Sequence, residues 1–151
     1  MIDARIRGFT LIELVVVLAL AAISVAFVGG AAQAYYLKSQ YHSSVREVLA
    51  LISAARVRAN AISQDQCVVY QPRQRVLVVN DSNYHIPESV DVEWSGVQSP
   101  RCSTDGVVLF VLRSNGYGYG GVFKLFRNSI GTGIYVNWLL GSVETQGLSR
   151  N

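Results

Sequence analysis

The chain has 151 residues, half of them hydrophobic, and 13 Lys and Arg against 10 Asp and Glu give a formal net charge of +3. That length predicts one globular domain plus an additional segment. So mild a charge does not by itself indicate a nucleic-acid partner, and no Cys-x-x-Cys pair or Cys/His spacing indicates zinc.

The N-terminus carries the strongest signal. Arg5 and Arg7 precede the string Gly8-Phe9-Thr10-Leu11-Ile12-Glu13-Leu14, and no charged residue occurs from Leu14 to Leu37. A run of that length exceeds the roughly 20 residues that a helix needs to cross a bilayer. Glu13 stands at its head. An acid costs about 3 kcal/mol at mid-membrane and less near the interface, so Glu13 calls for a partner. Arg5 and Arg7 predict a cytoplasmic N-terminus, which places the rest of the chain on the far side of the membrane. Three plainer readings compete. Ala32-Gln33-Ala34 offers a secretory cleavage site, but the apolar region of a cleaved signal spans roughly 7–15 residues and this run is longer. A plain single-pass anchor would leave Glu13 incidental. A buried core helix fits neither the basic leader nor the length.

The string from Gly8 to Glu13 resembles the N-terminus of type IV pilins and type II secretion pseudopilins. The resemblance implies a leader of residues 1–8, cut by a prepilin peptidase between Gly8 and Phe9, with N-methylation of the new Phe9 amine. It implies that Glu13 faces the amine of a neighbouring subunit during assembly. The physics is consistent with that role: N-methylation keeps the amine cationic, and a buried carboxylate is tolerable only when paired.

Residues 9–34 are then the transmembrane and assembly half of a helix, and residues 35–62 its amphipathic half. Gly29-Gly30 weakens the first half by about 1 kcal/mol per glycine against alanine. Major pilins often carry a proline near this point, and this sequence has none. The glycines either permit a bend or allow a neighbour to pack closely. Tyr35 and Tyr36 fall where an aromatic belt is favoured. Val45, Val48, Leu49, Ile52, Ala55, Ala59 and Ile62 recur at spacings of three and four, the pattern of an amphipathic helix. Ser43 or Ser44 can cap a separate helix with Glu47 as the capping-box partner, or one helix can run from Phe9 to about Ile62; the pilin resemblance favours the continuous helix.

Residues 63–151 read as a β-rich globular domain. Candidate strands are Cys67–Tyr70, Arg75–Val79, Val90–Trp94, Val107–Leu112, Val122–Phe126, Gly133–Leu140 and Gly141–Thr145, with turns at Gln71-Pro72-Arg73-Gln74 and Leu140-Gly141-Ser142 and a loop over Ser95–Asp105. The fold class expected is α+β: a pilin-like N-terminal helix packed on a C-terminal antiparallel sheet. Cys67 and Cys102, with 34 residues between them, can pair in an oxidising periplasm, or remain two unrelated thiols.

Gly116-Tyr117-Gly118-Tyr119-Gly120-Gly121 formally matches a dinucleotide fingerprint, but that motif needs a following helix and a strand pattern follows here. A glycine-rich hairpin loop supplying positive φ values is the expectation. Tyr117 and Tyr119 on it are candidate partner contacts, or they pack over the sheet edge. No catalytic motif recruits His42 or His85, so neither an enzyme nor a cofactor is expected. Arg56, Arg58, Lys124, Arg127 and Arg150 are the cations to test for phosphate binding, but acids lie among them and there is no dense basic run.

Ala54-Ala55-Arg56 with Ala59 and Ile62, then Tyr84, Pro87, Val90, Phe110, Gly116, Gly120-Gly121, Val136-Asn137 and Leu140-Gly141, is an order similar to the H-type minor pseudopilin of type II secretion and to the related DNA-binding minor pilins. The resemblance implies a non-enzymatic subunit at or near a pseudopilus tip. It would be anchored in the inner membrane of a Gram-negative cell with its β domain in the periplasm. The implied partners are other minor pseudopilins, the major pseudopilin, the prepilin peptidase and an inner-membrane assembly platform. The alternative is a type IV pilus minor pilin that binds DNA for uptake.

Overall fold

The computed structural model of the protein describes residues 9–102 and 105–150, with side chains throughout except over 26–31. One helix, α1 (Leu11–Ile62), is followed by nine strands. The chain divides into two compact units between Leu37 and Lys38.

In the second unit, the residues of α1 that face inward are Tyr41, Ser44, Val48, Ile52, Ala55 and Ala59. Their spacing of three and four is that of one helical face. Ser44 is not a cap. It lies in mid-helix, where its hydroxyl donates to the Gln40 carbonyl at 2.9 Å and accepts from the Tyr84 hydroxyl at 3.0 Å. A buried hydroxyl satisfied in both roles carries no desolvation penalty. The helix ends because Ser63 adopts a left-handed conformation (φ 52°) and the Gln64 N–H returns to the Ala59 carbonyl at 3.2 Å. This is the Schellman arrangement, with serine in the place glycine usually fills.

The strands form two antiparallel sheets. The first has the order β3 (Ser82–His85), β2 (Val76–Val79), β1 (Gln66–Gln71), β5 (Val107–Leu112), β6 (Gly118–Gly120); the second has the order β4 (Asp91–Ser95), β7 (Val122–Arg127), β8 (Ile130–Val136), β9 (Val143–Ser149). The α+β class holds: the helix packs on antiparallel sheets. Side chains of α1 (Val48, Ile52, Ala55), the first sheet (Val68, Tyr70, Leu77, Phe110, Leu112) and the second (Phe123, Leu125, Ile134) share one core. Each of the Val, Leu, Ile and Phe side chains among them contributes roughly 1.5–3 kcal/mol on burial. Polar ties join the layers at its rim: the Tyr41 and Thr132 hydroxyls lie 2.8 Å apart, and Arg56 donates to the Leu140 carbonyl at 2.7 Å.

Several expected boundaries move, each for a local reason. Arg75 belongs to the turn rather than to β2, with φ 54°, and its guanidinium donates to the Ile86 (3.4 Å), Pro87 (3.2 Å) and Val90 carbonyls. It thereby ties down the link from β3 to β4. Ser82–His85 is absent from the candidate strands read from residue pattern, although the family resemblance places a strand at Tyr84; it forms because it pairs with β2 in register from Val79↔Ser82 to Val76↔His85. The segment expected as Gly133–Leu140 starts earlier, at Ile130, and stops at Val136, where Asn137 builds a turn. Within the glycine-rich stretch only Gly116 has a positive φ (87°), and Gly118–Gly120 is a strand. Gly121 is needed for close approach: a Cβ there would sit 1.7 Å from the Ser95 carbonyl oxygen.

A bulge lies opposite Val68/Val69, so Leu109 and Phe110 both face the core while Val108 and Val111 face outward. On that outer face Val69, Val108 and Val111 are covered by Val97, Cys67 and Cys102. Cys67 and Cys102 form a disulfide, with Cα atoms 6.0 Å apart. The bond fastens the loop after β4 to β1, and the Val97 N–H to Val108 carbonyl bond (2.8 Å) fastens its other end to β5.

Candidate functional site

Gly8, the residue expected before the cleavage point, lies outside the described residues, as do Arg5 and Arg7. Phe9 is described and exposed. Thr10 begins the helix. Its carbonyl accepts from the Glu13 and Leu14 N–H groups (3.1 and 3.3 Å), and its hydroxyl accepts from the Glu13 N–H at 3.4 Å. Thr10 is therefore the N-cap and Glu13 occupies the third helical position, the spacing of a capping box. A carboxylate in the first turn is also favoured by the helix dipole. Sequence reasoning assigned Glu13 to assembly alone and missed Thr10 as the helix N-cap, although the Thr-x-x-Glu spacing announced it.

From Leu11 to Val25 every side chain is exposed, and nearly all are apolar. Ser24 satisfies its hydroxyl within the helix, on the Leu20 carbonyl at 2.9 Å. A helix apolar on every face is stable only where another apolar phase surrounds it, lipid or packed helices. Ten large apolar side chains are exposed here, and their burial is worth on the order of 15–30 kcal/mol. Helical structure continues through Gly29-Gly30. Among the described residues, no helix is long and apolar enough to cross a membrane.

Residues 3–29 match the prokaryotic N-terminal methylation motif. The chain carries a prepilin signal. The signal supports a type IV pilin-like protein, a structural rather than enzymatic kind of subunit, which is processed by a prepilin peptidase and assembles with other pilin subunits. It also suggests membrane anchoring. No curated protein matches the chain, and no solved structure matches it.

The remaining expected residues lie in the second unit, apart from this signal. Tyr119 is on β6, half-exposed, and its hydroxyl donates to Ser99 at 3.3 Å. Tyr117 is more exposed, in the turn before β6, where its N–H meets the Asn115 side chain (3.3 Å) and its carbonyl accepts from the Arg113 N–H (2.8 Å). Lys124 and Arg150 do come together, but on an acid: both pair with Glu93, at 3.6 and 2.9 Å, and Arg150 also lies over the Phe126 ring. Arg58 reaches Asp81 at 3.9 Å with both groups exposed. Two cations sharing one carboxylate leave a weak field for phosphate. His42 stands edge-on to Tyr41 on the helix, and His85 is exposed on β3. Among the described residues no three His, Cys, Asp or Glu side chains gather as a metal site.

Sequence reading passed over Asp65. It accepts from the Ser114 N–H (3.0 Å) and from Arg101 (2.7 Å), with Arg113 at 3.9 Å. The Ser114 bond holds its carboxyl below the ordinary value; burial opposes that effect and the two arginines reinforce it. The cluster joins the start of β1, the disulfide-bound loop and the turn after β5.

Proposed function

We propose that the protein is a minor pseudopilin of a type II secretion system, most like the H-type. The observation that supports this most is the exposed apolar stretch of α1, from Leu11 to Val25, which opens within the prepilin cleavage string. Processing between Gly8 and Phe9 creates an N-methylated cation at residue 9. That cation is the natural counter-charge for Glu13 of the adjacent subunit, because neither charge is tolerable alone in an apolar core. The helix serves first as a single-pass anchor in the inner membrane, then as a spine in the pseudopilus. The β domain stands in the periplasm and meets other minor pseudopilins and the major pseudopilin. The mechanism is assembly on the inner-membrane platform, driven by a cytoplasmic ATPase, without catalysis by this chain.

The test is a deletion strain, with the same strain complemented by this gene as the control, assayed in parallel for secretion of an extracellular hydrolase and for uptake of labelled DNA. Lost secretion with normal uptake is the expected result. Lost uptake with normal secretion would overturn the proposal and assign the chain to a type IV pilus.

A further inference from the structure

The turn between β8 and β9 presents three consecutive large apolar residues to solvent. Trp138 is 70% exposed, Leu139 52% and Leu140 58%. Loops ordinarily carry polar residues at such tips, and an exposed tryptophan followed by two exposed leucines marks a contact surface. The turn is held in one shape by Asn137. Its side-chain oxygen accepts from the Leu139 and Leu140 N–H groups, both at 3.1 Å, and its carbonyl accepts from the Gly141 N–H at 2.8 Å. Its side-chain amide donates to Glu144 at 2.8 Å, and its N–H to the Ser142 carbonyl at 2.8 Å. The Trp138 carbonyl accepts from the Gly118 N–H at 3.3 Å, which seats the turn beside Tyr117. A contact element ordered before binding loses little entropy on binding.

Next to this protrusion is a recess. Ser53, Arg56, Val57 and Asn60 of α1 and Val143 at the start of β9 line a hollow of about 190 Å³. Val57 at its edge is 68% exposed. The Arg56 guanidinium is occupied by the Leu140 carbonyl, so the recess and the turn share a border. A protrusion and a recess side by side on one chain are what a two-fold interface requires: each copy offers the knob that the other receives.

We infer that this face is an isologous contact between two copies of the chain, in which the Trp138-Leu139-Leu140 turn of each copy seats in the hollow beside Val57 of the other. The size is sufficient. The exposed parts of Tyr117, Trp138, Leu139, Leu140 and Val57 amount to roughly 550 Å² per copy when full side-chain areas of about 150–250 Å² are taken. Two copies can therefore bury up to about 1,100 Å², which reaches the roughly 1,000 Å² that separates specific interfaces from casual contacts. None of the three turn residues is charged, and Arg56 in the hollow keeps the Leu140 carbonyl as its hydrogen-bond partner. The contact lies in the globular unit and is independent of Phe9 and Glu13.

The test is site-specific photo-crosslinking of the full chain in intact cells, with p-benzoylphenylalanine replacing Leu139. The expected product has twice the chain mass, and its crosslinked peptide maps to residues 53–60. Val57→Trp, which fills the hollow from an exposed position without touching the core, is expected to lower the yield ~10-fold, the consequence of losing about 1.4 kcal/mol of contact. The product is expected to persist in a Glu13→Ala background. Crosslinking to a different protein, mapping to another part of the second copy, insensitivity to Val57→Trp, loss in the Glu13→Ala background, or no product at all would each overturn the inference.

Discussion

Breaking the Cys67–Cys102 bond tests how the outer face of the first sheet is closed. Cysteines 35 positions apart constrain the unfolded chain by about 3.8 kcal/mol in the chain-entropy treatment. A second contribution acts in the folded state. Without the bond, the loop that carries Val97 is held by one backbone hydrogen bond to β5, by the Arg101–Asp65 contact at the start of β1 and by the Tyr119–Ser99 hydrogen bond from β6, and its release would expose Val69, Val108 and Val111. We expect Cys67→Ser/Cys102→Ser to lose roughly 3–4 kcal/mol. For a cooperative unit of residues 38–151, that corresponds to a fall in Tm of about 12–16 °C. The assay is thermal unfolding of the full chain in detergent micelles, followed by near-ultraviolet circular dichroism through Trp94 and Trp138. Oxidised wild type, reduced wild type and the double variant are compared. Reduced wild type and the double variant should coincide. A fall of less than about 4 °C in both would refute the reasoning, because it would show that the loop and its entropy are fixed without the crosslink.

Glu13→Ala should leave membrane insertion and the start of the helix intact, because the cap bond uses the backbone N–H of residue 13 and the Thr10 hydroxyl. Its co-purification with other pilin-like subunits should fall; recovery equal to wild type would remove the pairing role. Gly121→Ala should cost about 2–4 kcal/mol, as clashes in packed structure do, because its Cβ meets the Ser95 carbonyl carbon and oxygen at 2.5 and 1.7 Å and backbone cannot step aside; chemical denaturation measures it, and a loss under about 1 kcal/mol would disprove the close approach. Asp65 sets a pH dependence. Its folded-state carboxyl titrates below the unfolded value of 3.8, so its contribution is complete above that value and is lost as pH falls through the folded pKa. Asp65→Asn should therefore narrow its stability gap from wild type as pH drops from 6 toward 2, and a gap that is constant over that range would show that ionisation of Asp65 contributes nothing.

The prepilin signal, the amphipathic spacing of α1 and the existence of most strands were legible in the sequence because each rests on interactions within a few residues. Spacings of three and four, alternation of two, and a Gly-Phe-Thr-Leu-Ile-Glu string are local patterns, and local physics is enough to read them. Even the N-cap at Thr10 was available on these terms, in the Thr10-x-x-Glu13 spacing.

What only the tertiary structure decided are the pairings between distant segments. Alternation in β5 does not say that it lies beside β1, nor that β4 leaves for a second sheet before the chain returns. A single extra residue at the bulge inverts which of Val108 and Leu109 faces the core. Ser82–His85 becomes a strand only because β2 supplies the hydrogen-bonding partner. Gly120-Gly121 reads as flexibility in sequence, whereas in space it marks where two backbones pass too closely for a side chain. Asp65, Arg101 and Arg113 are remote in sequence and meet only because the disulfide-bound loop and the turn after β5 converge on the start of β1. Such contacts depend on which surfaces the chain can bury simultaneously, a condition on the whole fold that no window of residues contains.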